Sequence, residues 1–149
     1  MHGFVLQDWT TIRGGSTIGT ITQSEHEWLD LSGYEHLIAW IDVREVTLAN
    51  NTFVQVNLQT APIKDEYLFV NMESTPLTVG GALTSPSIRK IIMAAPTTPN
   101  VPLGTWVRWQ LVTSNAGSVN NTWDVTFRIL ACANPLGGGG GMGLAPRSR

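Results

Sequence analysis

The fold class is decided by residues 53–60, which read FVQVNLQT and alternate apolar with polar side chains. Successive side chains of a β-strand point to opposite faces, so Val54, Val56 and Leu58 would share one face and the amides the other. This alternation predicts an antiparallel strand with one face on a core and the other face in water.

Residues 37–46 read LIAWIDVREV and predict a second strand of the same kind. Its core face comprises Leu37, Ala39, Ile41 and Val43. Its opposite face starts apolar and turns polar halfway along, with Ile38 and Trp40 followed by Asp42 and Arg44. Residues 48–52 between the two strands include two asparagines, which tolerate left-handed backbone, so we expect a hairpin there.

Seven further stretches are rich in the β-branched and aromatic residues that suit strands. They are Phe4–Trp9, Thr17–Thr22, Trp28–Leu31, Tyr67–Met72, Ile88–Ala94, Thr105–Thr113 and Trp123–Leu130. Between them, Glu73–Ser87 and Ala95–Gly104 contain several prolines and predict long connections. Eight or nine short strands without a helix predict an all-β, antiparallel β-sandwich with jelly-roll or Greek-key topology.

The last two predicted strands form a second expected hairpin, around the turn Ser114–Asn121. Their core faces comprise Val107, Trp109, Leu111, Val125, Phe127 and Ile129. Arg108 and Arg128 fall on the opposite faces, toward solvent or a neighbouring molecule. Trp40 and Trp106 also fall on outward faces, where a tryptophan is a sugar platform, a protein-contact anchor or a side chain packed beneath a loop.

The end of the chain differs from the rest, because residues 137–141 are five consecutive glycines. Ordering glycine has a large entropic cost, and no side chains are present to offset it, so we expect a neighbouring molecule to hold this segment. We therefore divide the chain into a β-sandwich domain, residues 1–135, and an extended Gly-rich C-terminal arm, residues 136–149. At about 3.3 Å per residue, the 13 residues after Leu136 reach roughly 40 Å. Its expected contact residues are Leu136, Met142, Leu144, Arg147 and Arg149.

Composition excludes several classes of protein. The 149 residues suit a single domain, and 42% hydrophobic content is too high for a disordered chain. A formal net charge of -2 gives no reason to expect nucleic acid as a partner. We expect no membrane segment and no signal peptide, because no apolar run approaches the roughly 20 residues that span a bilayer and the start lacks a basic region.

No motif for chemistry stands out. The cluster around His26, with its flanking glutamates and the nearby His36, lacks the spacing of known zinc sites. Cys132, the single cysteine, has no activating base near it in sequence. We therefore expect no catalytic residue, no metal and no cofactor, and a protein that is not an enzyme.

Three stretches carry a resemblance to a known class of protein: residues 28–34 (WLDLSGY), 54–62 (VQVNLQTAP) and 102–109 (PLGTWVRW). In the general character of their sequence, without a diagnostic motif, residues 28–130 resemble the β-sandwich accessory proteins of tailed bacteriophage virions. The resemblance implies a capsid decoration (cement) or minor capsid protein, made in the host cytoplasm and placed on the capsid surface. Its implied partners are the major capsid protein or other virion subunits, with a homo-oligomer such as a trimer.

Two other classes remain open at this stage. A carbohydrate-binding module, for example a host-surface glycan binder, would also use a jelly roll with surface tryptophans, and the LSGY run at 31–34 is similar to discoidin-like domains. Loss of glycan binding in Trp40→Ala or Trp106→Ala would favour that class. A small enzyme such as a cupin is disfavoured, because His2, His26 and His36 lie in the first third of the chain and mostly outside predicted strands.

Overall fold

The computed structural model describes residues 1–15, 19–48, 52–77, 87–92, 101–115 and 122–136. Nine strands cover most of them: β1 (His2–Gly14), β2 (Gly19–Thr22), β3 (Leu29–Asp30), β4 (Tyr34–Leu48), β5 (Thr52–Ala61), β6 (Val70–Pro76), β7 (Ser87–Ile92), β8 (Trp106–Asn115) and β9 (Trp123–Pro135). Within the described ranges, the helical segments are two single 3-10 turns, Glu25–Glu27 and Glu66–Leu68.

The strands form two antiparallel sheets, which we call the β1 sheet (order β1-β9-β4-β7) and the β2 sheet (order β2-β8-β5-β6, with β3 also on β8). The pairing is nested: β1 pairs with β9, β2 with β8, β4 with β7, and β5 with β6. The first half of the chain therefore pairs antiparallel with the second half, and the chain reverses direction between β5 and β6. Each sheet is completed by a further pairing, β4 with β9 in one sheet and β5 with β8 in the other. This pairing is the jelly roll, and the predicted all-β sandwich is confirmed.

The core lies between the two sheets and is built from the faces that alternation predicted. The predicted inward residues of β4, β5, β8 and β9 are all buried: Leu37, Ala39, Ile41, Val43, Val54, Val56, Leu58, Val107, Trp109, Leu111, Val125, Phe127 and Ile129. Trp109 packs edge-on against Phe127 with ring centroids 5.3 Å apart, and its Nε1 donates a hydrogen bond to Gln7 Oε1 at 2.9 Å. The prediction that Trp109 belongs to the core is confirmed.

Both predicted hairpins are wrong. Strands β4 and β5 lie in different sheets, and so do β8 and β9, so the segments that join them cross from one sheet to the other. The middle residues of both connections, 49–51 and 116–121, lie outside the described residues. Alternation shows that two strands each have one apolar face, but two such strands share a core equally well by pairing side by side or by facing each other.

Two local expectations also need correction. The amide face of β5 is not in water, because Asn57 and Gln59 are only 4% and 7% exposed and lie in the interior of a five-stranded sheet. The strand predicted from residue 67 begins at Val70 instead. Asp65 accepts a hydrogen bond from the Tyr67 N–H and starts a 3-10 turn, which leaves the Tyr67 side chain 95% exposed.

Candidate functional site

The outer face of the β1 sheet carries a half-buried row of four side chains, which we call the apolar strip: Ile38, Trp40, Leu130 and Cys132. Trp40 stands opposite Leu130 and Ile38 opposite Cys132 in the β4–β9 register. Their chain neighbours Ala39 and Ala131 point into the core and are buried, so the strip faces away from it. Trp40 was predicted to lie on an outward face, and the structure places it there.

Next to the strip lies a group of four residues, which we call the Trp9 cluster: Trp9, Asp42, Arg44 and Arg128. Arg128 donates from both Nε and Nη2 to Asp42 Oδ2, at 2.9 and 2.8 Å. The guanidinium carbons of Arg44 and Arg128 lie 4.2 and 4.7 Å from the centroid of the Trp9 ring, within cation–π distance. Asp42 balances the charge of Arg128, whereas exposed Arg44 has no carboxylate partner within the described ranges.

Trp40 and Arg128 therefore share one face, since Asp42, the residue that pairs with Arg128, lies two positions along β4 from Trp40. Trp9 and Arg44 belong to the same surface but were not predicted as contact residues. The signal that could have identified Arg44 is its place at the polar end of the outward pattern of β4. Trp9 carried no comparable signal, because β1 is interrupted by register shifts that break its alternation.

Leu136, the last described residue before the glycine run, lies at one end of the β1 sheet. The N–H of Leu136 donates to the carbonyl of Gly33 at 2.6 Å, and the Leu136 side chain is exposed. Gly33 has a φ of 87°, a left-handed conformation that a residue with a Cβ adopts only under strain. The predicted contact residues Met142, Leu144, Arg147 and Arg149 lie outside the described residues.

Arg108 occupies the equivalent outward position on the β2 sheet but is only 4% exposed. Its Nε donates to Gln59 Oε1 at 2.8 Å, and its guanidinium carbon lies 4.0 Å from the Phe69 ring centroid and 5.1 Å from that of Trp28. Burial lowers the pKa of Arg108 below its ordinary value, and the Glu66 carboxylate opposes this effect. In this arrangement Arg108 supports its own sheet, and its predicted contact with a partner stays a prediction.

Around Arg108, the outer face of the β2 sheet is crossed by a hydrogen-bonded line that we call the amide row: Thr22, Gln110, Gln59 and Asn71, on β2, β8, β5 and β6. Gln110 Nε2 donates to Thr22 Oγ1 at 3.2 Å. Gln59 Nε2 donates to Gln110 Oε1 at 3.3 Å and to Asn71 Oδ1 at 2.8 Å. The polar groups of this face are thus largely satisfied within the chain.

Beside the amide row lies an open cleft of about 500 Å³, which we call the Lys64 cleft. It is lined by Thr22, Gln23, Glu25, Trp28, Ile63, Lys64, Asp65 and Glu66. Lys64 Nζ lies 3.5 Å from Glu25 Oε1, 5.9 Å from the centroid of the Trp28 ring and 5.2 Å from that of Trp106. Half-buried Trp106, one of the predicted contact residues, therefore belongs to this region and not to the face of Trp40.

The histidines of the sequence do not meet in one place. His26 Nδ1 is hydrogen-bonded to Ser24 Oγ at 3.0 Å, and His36 Nε2 lies 3.9 Å from Glu35 Oε1. Within the described part of the chain, no three His, Cys, Asp or Glu side chains are close enough together to hold a metal ion. Across the same residues, no helix is long and apolar enough to span a membrane.

Comparison with known proteins gives matches in structure only. No protein-family model and no curated protein matches the sequence. Two solved structures of infectious bursal disease virus, of the Gx and Gt strains, match 91% of the chain with TM-scores of 0.53 and 0.54 at 11% and 12% identity. The VP2 subviral particle of the same virus matches 87% of the chain with a TM-score of 0.55 at 12% identity. This chain spans about a third, 32%, of each of those chains, and at such identity the likeness shows a shared fold.

Proposed function

We propose that this protein is a non-enzymatic structural subunit of a virion, which stabilises a particle by binding neighbouring subunits. The observation that carries the proposal is the jelly roll, which matches chains of viral particles over 87–91% of its length. A fold by itself does not specify a function, because jelly rolls also occur in lectins and cupins. The proposal therefore also depends on a surface suited to contacts between subunits.

That surface is the outer face of the β1 sheet. Trp40 and Leu130 offer apolar area, and the Trp9 cluster adds two arginines stacked on an aromatic ring. Tryptophan and arginine are the side chains most enriched at the energetic centres of protein interfaces. Asp42 holds Arg128 in a fixed orientation before any partner arrives, which lowers the entropic cost of binding. The occupant that we propose for this face is a neighbouring virion subunit with acidic groups that meet Arg44 and Arg128.

The C-terminal arm, residues 136–149, would add a second contact. Because the Leu136 N–H is bound to Gly33, the arm starts from a fixed point at one end of the β1 sheet. Met142 and Leu144 would fill shallow apolar depressions on a neighbour, and Arg147 and Arg149 would pair with its carboxylates. Each contact is weak, but copies on a closed shell meet several neighbours at high effective concentration, so weak contacts suffice.

A narrower assignment depends on the sequence resemblance alone. We infer a decoration or minor capsid protein on the capsid surface of a tailed bacteriophage, made in the host cytoplasm, with the major capsid protein as partner and a trimer as its oligomer. The matched structures are of infectious bursal disease virus, so they support a role in a virion in general and leave this assignment to the resemblance.

The test removes the arm. We expect a chain ending at Pro135 to keep its far-ultraviolet circular dichroism and unfolding midpoint, because it retains all nine described strands, the last of which ends at Pro135. Its binding to particles of the encoding virus should fall by roughly tenfold or more, measured by co-sedimentation against the full chain.

A second variant keeps the length of the arm and changes only its expected contact residues, with serine in place of Met142, Leu144, Arg147 and Arg149. This variant should bind as weakly as the truncated chain. If both variants bind particles as tightly as the full chain, the arm has no role in attachment. If the full chain binds no particle component, the virion assignment itself is wrong.

A further inference from the structure

The Lys64 cleft combines charges of both signs in a small space. Three carboxylates line it, those of Glu25, Asp65 and Glu66, and the ammonium group of Lys64 lies among them. One carboxylate oxygen of Asp65 already accepts a hydrogen bond within the chain, from the Tyr67 N–H at 3.0 Å. The volume of about 500 Å³ is within the range of small-molecule sites, roughly 300–1,000 Å³.

This charge pattern selects against a charged ligand. An anion would meet three carboxylates, and a cation would compete for them with Lys64, whose Nζ lies 3.5 Å from Glu25 Oε1, and with Arg108, whose Nη1 lies 3.8 Å from Glu66 Oε1. A neutral ligand with many hydroxyl groups avoids both penalties, because each hydroxyl both donates and accepts and therefore pairs with ammonium and carboxylate groups alike. Hydrogen bonds in which one partner is charged are also the stronger kind.

One gap in the hydrogen bonding matches a hydroxyl group in particular. Arg108 Nη1 is buried and makes no hydrogen bond within the described residues, and it lies 3.8 Å from Glu66 Oε1, too far for a direct hydrogen bond. A ligand hydroxyl would reach Nη1 when the Glu66 side chain turns aside, and it would then accept a hydrogen bond from Nη1. The Glu66 side chain is 70% exposed, so it is free to turn toward a ligand in the cleft.

Aromatic rings supply the apolar part of the region. Trp28 lines the cleft, and the Trp106 ring is near it, because Lys64 Nζ lies within 6 Å of the centroids of both rings. Indole rings offer a flat apolar surface, which matches the C–H face of a sugar ring. The Trp28 ring is held in place by Phe69, edge-on at 4.7 Å, and by a hydrogen bond from its Nε1 to the Gln23 carbonyl at 3.0 Å. The surface is thus formed before a ligand binds.

We propose that the Lys64 cleft binds a neutral sugar ring, as part of a glycan that the protein meets in addition to its partner subunits. The site is separate from the apolar strip and the Trp9 cluster, which lie on the outer face of the other sheet. The proposal is independent of the virion role, so either one stands if the other fails. A neutral glycan of a cell-surface glycoprotein and a neutral bacterial polysaccharide present the same ring chemistry, so the experiment includes both.

The test screens the full chain on an array that carries glucose-, galactose-, mannose- and N-acetylglucosamine-terminated oligosaccharides, with bacterial polysaccharides in a second set. The best sugar is then titrated against ¹⁵N-labelled protein while the indole N–H resonances of Trp28 and Trp106 are followed. We expect those two resonances to shift and that of Trp40 to stay fixed. Glu25→Gln and Lys64→Ala should each weaken binding by roughly tenfold, since each removes a charged hydrogen-bond partner.

Glu73→Gln is the matched control, because Glu73 is an exposed glutamate on β6 that does not line the cleft, and it should bind as the unchanged chain does. Folding of each variant is checked by its unfolding midpoint. The proposal is overturned if no sugar binds at millimolar concentration. It is also overturned if binding survives both cleft variants or disappears in Trp40→Ala instead. Preference for one set of glycans identifies the source.

Discussion

An outward-facing arginine has a different environment on each of the two outer faces of the sandwich. Both sheets carry an arginine on β8 or β9 at an outward position, Arg108 on one and Arg128 on the other. On the β2 sheet the loop after β5 covers Arg108 with Phe69 and Glu66, and the amide row satisfies its neighbours. On the β1 sheet Arg128 stays partly exposed beside Trp9 and the apolar strip. Among the described residues, the outward arginine of the β2 face is thus covered, and that of the β1 face is partly exposed.

The largest expected effect is on the free energy of unfolding, when removal of Arg108 is compared with removal of Arg128. Arg108→Ala leaves the side-chain oxygen Oε1 of Gln59 without the Arg108 Nε donor and empties the space beside the Trp28 and Phe69 rings. We expect the free energy of unfolding to fall by about 2–4 kcal/mol, from an unmet buried hydrogen bond and lost packing. Arg128→Ala should cost about 1 kcal/mol or less, since its ion pair with Asp42 is partly exposed. Urea unfolding measures both, and equal losses would remove the distinction between the faces.

The second-largest expected effect is on binding to particles, and here a substitution on the β1 face should matter more than one on the side of the β2 sheet. Trp40→Ala should weaken attachment to particles by about 2 kcal/mol, roughly thirtyfold, because tryptophans at interface centres contribute at that level. Tyr67→Ala is the matched control, since Tyr67 is a fully exposed aromatic residue on the side of the β2 sheet. Co-sedimentation with particles measures both variants. Equal binding by the two would show that the apolar strip is not the contact face.

The smallest effect is a dependence on pH at the turn that joins the two sheets. Hydrogen bonds from the backbone and side chain of Ser32 lower the pKa of Asp30. Because the folded-state pKa lies below the unfolded one, the contribution to stability is complete above the unfolded value, near 3.9, and is lost as the pH falls through the folded-state pKa. Asp30→Asn should make the unfolding midpoint less sensitive to pH below about 4. An unchanged acid response in that variant would contradict the assignment.

Much of the fold was predictable, because alternation is a property of single strands. Every residue that the sequence assigned to the core faces of β4, β5, β8 and β9 is buried. The boundaries were less predictable. The first strand runs from His2 to Gly14, beyond the predicted Phe4–Trp9, because pairing with β9 extends a strand past the residues that favour it locally.

The candidate sites were predictable only in part. Trp40 was identified by its outward position, but the Lys64 cleft was not, since the loop 63–66 reads as an ordinary charged turn. The cleft is formed by β2, by the 3-10 turn after it and by the loop after β5. These segments are about 40 residues apart in sequence and are brought together because β2 and β5 both pair with β8. No pattern within a short stretch of sequence indicates that these segments lie close together.

Alternation along the chain is enough to predict which side chains of each strand share a face, because a strand has a period of two residues whatever lies beside it. Which strands pair, and which residues cover each face, depends on contacts that form when the whole chain folds. Arg108 and Arg128 occupy equivalent positions in their own strands, yet one is buried beneath a loop and the other stacks on a half-exposed tryptophan. The difference arises from contacts between residues far apart in the chain, which depend on how the strands pair into two sheets.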